Sequence, residues 1–231
     1  MRRFSACAVS AVVLTFAIAA CGGSSGGGGS SDNGISSKSP DQIVSAVNTA
    51  VNGVNSVHVA GAVSNGGSKT TLDLNLVNGK GGKGTMSQSG LAFKIVAVGN
   101  QVYINGSNAF WQKFGGSAAA QLLSGKWLKA PATGQLSSIA SLTNVHTLFN
   151  QLLSSHGKLA KGSTTTVHGQ KVIAVNDTTN GGTLYVATTG KPYPIQLNKS
   201  GSDGGQITFD QFNQAVTLAA PSNSIDISKL Q

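Results

Sequence analysis

The chain has 231 residues, a net charge of +9 and only 10% charged side chains, enough apolar material for one sizeable core. A basic balance suits nucleic acid, but both arginines stand at positions 2 and 3, and every later cation is one of fourteen lysines. Nucleic-acid readers lean on the bidentate arginine fork, so that partner is disfavoured, and two cysteines in all are too few for a disulfide scaffold.

Arg2 and Arg3 are followed by an apolar run from Ala6 to Ala20 and then by Cys21. A basic start, a short apolar stretch and small residues before a cut site form a secretory signal, and the run is shorter than the about 20 residues of a membrane span. Ile18-Ala19-Ala20-Cys21 resembles the bacterial lipobox, in which the cysteine receives a diacylglyceryl group before cleavage. The expectation is a signal peptide over 1–20 and a lipid on Cys21 that anchors the exported protein to the outer face of the cytoplasmic membrane. The alternative is an ordinary secreted protein with a cysteine there by chance. Cys7 would be lost with the signal, leaving Cys21 as a lone thiol that lipidation explains. Two or more acyl chains, at about 0.8 kcal/mol per buried methylene, make a durable anchor. Positions 21–38 read as the lipidated cysteine and a Gly/Ser-rich tether with an r.m.s. reach of about 20–25 Å, ahead of one domain over 39–231.

Ser39-Pro40-Asp41-Gln42 spells a capping box with proline in the first turn, and Ile43, Val44, Val47, Val51 and Val54 share one helical face, which predicts a helix to about residue 54. The period then changes to two. Val57, Val59 and Val63 alternate with small or polar residues, and Leu72, Leu74 and Leu76 alternate with Thr71, Asp73 and Asn75. Turn residues over 78–84 precede a polar strand to about 88, then an apolar strand over 91–98 and another over 101–105. The middle of the chain predicts helices over 117–124 and around Val145, Leu148, Phe149, Leu152 and Leu153, with a short strand about Trp127 between them. Strands resume near 158–167, 171–177, 183–188, 193–199 and 206–212, separated by Gly, Asn or Pro. Strand runs with segregated helices predict an α+β fold with one large antiparallel sheet and helices on one face.

Chemistry-bearing motifs fail their context tests. Gly22-Gly23-Ser24-Ser25-Gly26 has the letters of a hydrolase elbow but sits in the tether, without the strand and helix that the elbow needs. Gly79-Lys80-Gly81-Gly82-Lys83-Gly84 follows a strand, yet no helix follows it and no acidic residue stands about twenty positions on. His58, His146, His156 and His168 are scattered, glutamate is absent, and the seven aspartates show no paired spacing. No catalytic residue, metal or cofactor is therefore assigned, although a Ser/His/Asp group assembled only in space stays open. The lysines serve to keep a glycine-rich domain soluble; a surface near anionic headgroups is their other use.

Several stretches resemble the LppX/LprG-type lipoproteins and, more distantly, the LolA-like lipoprotein carriers. They are the opening helix running into Ser56-Val57-His58-Val59, then Val102-Tyr103-Ile104-Asn105-Gly106, Gly125-Lys126-Trp127-Leu128-Lys129, Leu184-Tyr185-Val186-Ala187 and Thr189-Gly190-Lys191-Pro192-Tyr193-Pro194. The likeness runs over roughly 39–231, and the chain departs from the better-known members in its glycine, serine and asparagine content and its lack of later arginine and glutamate. The resemblance implies a strongly curved antiparallel half-barrel of about ten strands, helices over its concave face and an apolar cavity between. It also implies a non-enzymatic envelope protein that binds the acyl chains of a lipid, glycolipid or lipoprotein and carries or presents them, with an envelope transporter or acceptor protein as a further partner. If the sheet curves so, Leu72, Leu74, Leu76, Phe93, Ile95, Ile104, Val186, Leu197 and Phe209 face the cavity, with Phe149 and Leu152 from the covering helix. The same residues would build an ordinary dry core, because pocket and core are equally apolar. A surface interaction module with a filled core, and an envelope hydrolase of unrecognised type, are the competing readings.

Overall fold

The computed structural model describes residues 31–229; the signal segment, Cys21 and the Gly22–Gly26 motif lie outside the described residues. A first helix, α1 (Pro40–Asn52), is followed by five antiparallel strands: β1 (Ser56–Asn65), β2 (Ser68–Val77), β3 (Gly81–Gln88), β4 (Leu91–Val98) and β5 (Gln101–Gly106). The insert comprises α2 (Asn108–Leu123), β6 (Trp127–Pro131), α3 (Ser137–Leu142) and α4 (Val145–Ser154). Five more strands complete the main sheet: β7 (Leu159–Val167), β8 (Gln170–Asp177), β9 (Thr183–Ala187), β10 (Pro194–Lys199) and β11 (Gly205–Asp210). A short β12 (Ser224–Asp226) pairs parallel to β6.

All twelve strands form one open sheet in the order β12-β6-β5-β4-β3-β2-β1-β11-β10-β9-β8-β7. The second strand run thus returns to the middle, where β11 pairs with β1, and β12 and β7 are left as the edges. One face of the sheet carries the helices. Ile43, Val47 and Val51 of α1, with Val145 and Phe149 of α4, are buried against Val57, Val59, Leu74, Leu76, Ile95, Val102, Ile104, Val186 and Phe209. Glycine opens the way for bending in the centre. A Cβ on Gly61, whose φ is +153°, would come within 2.0 Å of the Gln206 carbonyl oxygen, and one on Gly84 equally close to that of Asp73. No larger residue fits the close approach of these strands.

The hairpins define two ends of the sheet. The turns after β1, β3, β8 and β10 lie at one, called here the upper end; those after β2, β4, β7 and β9 lie at the other, lower end.

Local signals explain most boundaries. The Ser39 side chain accepts from the Gln42 backbone N–H, and the Gln42 side chain accepts from the Ser39 N–H at 3.0 Å, closing the predicted capping box. Four expectations are corrected. The tether does not extend to 38: Asp32 bridges to Thr189 and Ile35, in a 3₁₀ turn (Ile35–Ser37), is buried in the core. β3 begins at Gly81 rather than near 84, because its glycines serve strand packing as well as the turn. α2 starts nine residues before the Ala/Leu-rich stretch, capped by Ser107, whose hydroxyl accepts from the Phe110 N–H at 3.1 Å; the break at Gly116, with φ +75°, hid its first half from periodicity. α3 and β12 have too few apolar positions to show a period.

Candidate functional site

Registered pairing lines up a row of side chains on the helix-covered face. Val175 of β8, Leu184 of β9, Leu197 of β10 and Ile207 of β11 are successive partners. The row continues through Gly61, Leu72, Met86, Phe93 and Gly106 across β1 to β5. Over its first half lies a cavity of about 160 Å³. Val175, Leu184 and Leu197 form its floor with Leu159 beside them, while Val44 of α1 and Phe149, Leu152 and Leu153 of α4 form its roof. Phe209 closes the inner end, its ring 5.3 Å from that of Phe149.

The mouth opens at the upper end and is polar. His156, Asp177, Asn180, Asn198 and Lys199 stand around it. Asp177 is committed to the turn: its carboxylate accepts from the backbone N–H groups of Asn180, Gly157 and Thr179, which together hold it down to about pKa 2. Lys199, an exposed cation, stands at the same mouth. An apolar slot with a polar, hydrogen-bonding mouth suits the tail and head of an amphiphile.

Of the eleven residues expected to face a cavity, four line this one: Phe149, Leu152, Leu197 and Phe209. Leu74, Leu76, Ile95, Ile104 and Val186 are buried in the core, and Leu72 and Phe93 pack against it half-buried. The sequence reading missed Val44, Leu153, Leu159, Val175 and Leu184. Each carried the apolar periodicity that could have nominated it, but helix placement, not periodicity, decides which part of the face stays open.

Among solved structures, the chain is similar to LprF from Mycobacterium bovis, with a TM-score of 0.56 at 15% identity, covering 84% of this chain and 99% of that one. It is also similar to the lipoprotein LppX from Mycobacterium tuberculosis, with a TM-score of 0.52 at 18% identity over 82% and 100% of the two chains. The fold is LppX/LprG-like. Neither a protein-family model nor a curated protein matches the sequence.

The LppX/LprG-like sheet also brings together a cluster of three titratable side chains, on the face opposite the helices. His58 of β1 donates from Nδ1 to Asp210 of β11 at 2.7 Å and from Nε2 to Asp73 of β2 at 3.1 Å. Partial burial opposes the charged ring, but the two carboxylate hydrogen bonds outweigh it and raise the pKa. With a carboxylate at each ring nitrogen, His58 clamps three central strands, β2, β1 and β11, to one another. The sequence placed His58 and Asp73 on polar strand positions; the register that joins them to Asp210, 152 positions away, was not legible. The other histidines serve local contacts: His146 with Asn52, His156 with the Gly157 carbonyl, and His168 with Gln196. Among the described residues no group of three or more His, Cys, Asp or Glu is arranged to hold a metal ion, and no helix is long and apolar enough to cross a membrane.

Proposed function

We propose that the protein is an exported lipoprotein, anchored through Cys21, that takes acyl chains into the slot between α4 and β8–β11 and carries or presents the lipid in the cell envelope. The observation that carries this reading is the slot itself, with an apolar floor and roof and a polar mouth. The physical need is large. A two-chain lipid has about 30 methylenes, and exposing them to water would cost on the order of 20–25 kcal/mol. A protein that shelters them removes most of that barrier without making or breaking a bond, so no catalytic group is required.

Size sets the mechanism. Pockets for drug-sized ligands span about 300–1,000 Å³, and a cavity of about 150 Å³ holds a benzene-sized group. The 160 Å³ slot therefore admits a short length of one chain, and loading a whole lipid requires α4 to lift from the sheet. The helix is suited to this. It meets the sheet through Val145, Phe149, Leu152 and Leu153 on one face, and short connections, residues 143–144 and 155–158, bound it.

The test is lipid content. The chain carrying Cys21→Ser, exported and purified without detergent, is extracted into organic solvent and analysed by mass spectrometry, and its uptake of a fluorescent fatty acid is measured. Co-purified acyl species and saturable uptake are expected; repeated absence of both sinks the proposal. The dense packing of Leu74, Leu76, Ile95 and Ile104 favours a second reading, an interaction module with a filled core. That reading predicts no uptake and a protein partner recovered by crosslinking.

A further inference from the structure

The upper end carries more than the slot's mouth. α2 leaves β5 at Gly106 and the chain re-enters the sheet at Trp127, and because Ile104 pairs with Leu128 both attachments lie at this end. The first half of α2 is pinned by aromatic contact. Phe110 lies so close over Gly106 that a Cβ there would fall 2.4 Å from its ring, and its centroid is 4.9 Å from Phe93 and 4.8 Å from Phe114. Trp111, Ala120 and Leu123 turn inward and are buried. Phe114 and Leu122 turn outward, 62% and 44% exposed, the highest values among the large hydrophobic side chains in the described residues. A rigidly backed phenylalanine held in water is unfavourable unless a partner covers it.

The charge around it points to the partner. Lys69, Lys113, Lys126, Lys158 and Lys199 are exposed and lie at or beside the upper end. The adjoining turns hold two carboxylates, Asp177, kept ionised by three backbone N–H groups, and Asp203, which accepts from the Gly66 N–H at 2.9 Å, so the five lysines outnumber them. Among the described residues the one lysine–aspartate pair is Lys129–Asp226. Lys113 and Lys126 stand within five positions of Phe114 and Leu122, and the other three lysines lie along the rest of the same end of the sheet. Outward apolar side chains on an end that carries compact, strongly hydrated cations match the boundary between acyl chains and anionic headgroups.

We propose that the upper end docks on an anionic lipid bilayer, with Phe114 and Leu122 reaching the acyl boundary and the lysines over the phosphates. This goes beyond the carrier reading, since docking needs no lipid in the slot; it sets the slot's mouth against the surface from which a chain would come.

The test reads the depth of one position, so that association through the N-terminal segment alone does not satisfy it. The full chain carrying Phe114→Trp is mixed with vesicles of phosphatidylcholine and phosphatidylglycerol whose acyl chains are brominated, and its emission is compared with that of the unsubstituted chain. The added tryptophan is expected to shift to the blue and to be quenched, and Leu122→Trp to behave likewise. Lys171→Trp, beside the lower-end β7–β8 turn, should give neither effect. Adding Lys113→Gln and Lys126→Gln to Phe114→Trp should weaken the vesicle affinity read by quenching by about thirtyfold. Water-like emission from both Phe114→Trp and Leu122→Trp at every composition overturns the proposal. So does equal quenching in pure phosphatidylcholine, or a Phe114-dependent crosslink to a protein with no quenching. If quenching is seen while extraction finds no bound lipid, docking stands and the carrier reading falls.

Discussion

The two halves of the row that runs from Val175 to Gly106 have the same kind of sequence and different interiors. On the β8–β11 side, Val175, Leu184 and Leu197 leave a slot beneath α4. On the β2–β5 side, Phe93 is met by Phe110 of α2, and Leu72 and Met86 beside it line no slot. The strands do not account for this, since both halves put apolar residues on the helix-covered face, and each has a strand apolar on both faces, β8 on one side and β4 on the other. The roof does: the Phe110 ring of α2 lies against Phe93 and over Gly106 on one half, whereas α4 lies over the other with Phe149 at one end and aliphatic side chains along the rest. Whether a sheet holds a pocket is therefore settled by the helices laid on it.

The sharpest way to test that contrast is Phe149→Ala. Removing a fully buried ring should cost about 3–5 kcal/mol and lower the melting temperature by roughly 10 °C, while the enlarged slot accepts a bulkier fluorescent fatty acid than the unsubstituted chain does. Leu76→Ala on the solid side should cost about 3 kcal/mol by denaturant titration and leave uptake per folded molecule unchanged, because Leu76 does not line the slot. Altered uptake in that variant would show that the two halves communicate. The third comparison adds volume. Leu184→Trp should fill the slot and abolish uptake at a cost under about 1 kcal/mol, whereas Leu74→Trp, with no space to enter, should cost about 1–3 kcal/mol.

The smallest effect belongs to His58, which joins β1 at the middle of the row's span to β2 and β11. Its raised pKa means that the folded state binds the proton more tightly than the unfolded chain. The stabilisation is thus fully present below the ordinary value of 6.5 and is lost as pH rises through the raised folded value. His58→Gln should lower the unfolding free energy from denaturant titration by about 0.5 kcal/mol near pH 6 and by nothing measurable near pH 9. An equal loss at both values would show that the clamp does not depend on charge.

Much of this architecture was legible because it rests on local rules. The capping box at Ser39, the leucine alternation over 72–76 and the apolar face of α4 each fix an element without reference to the rest of the chain. The site was legible only in part, for a reason that Leu197 and Ile104 illustrate. Both sit on alternate strand positions with apolar side chains, and the one under α4 lines the slot while the other lies within the core. Strand pattern decides which face a residue takes; the lateral placement of α4, more than 40 positions from either residue, decides whether that face stays open. Ile35 failed for the opposite reason. It is a single apolar residue in a polar stretch, with no period to announce it, and its burial follows from the Asp32–Thr189 bridge that steers the chain onto the sheet.

That bridge has a geometric consequence. It pins Asp32 at the lower end, by the β9–β10 turn, whereas the slot opens at the upper end. The eleven peptide steps from Cys21 to Asp32 span at most about 36–40 Å, and the ten residues of β1 alone extend about 33 Å. A leash so nearly matched to the length of the body works as a ruler. Under the proposed anchoring through Cys21 and the proposed carrier role, shortening it by four residues should keep the upper end from reaching the membrane that holds Cys21 while leaving it free to meet a membrane facing it. Transfer to vesicles added in solution should then survive the deletion, and exchange with the anchoring bilayer should not.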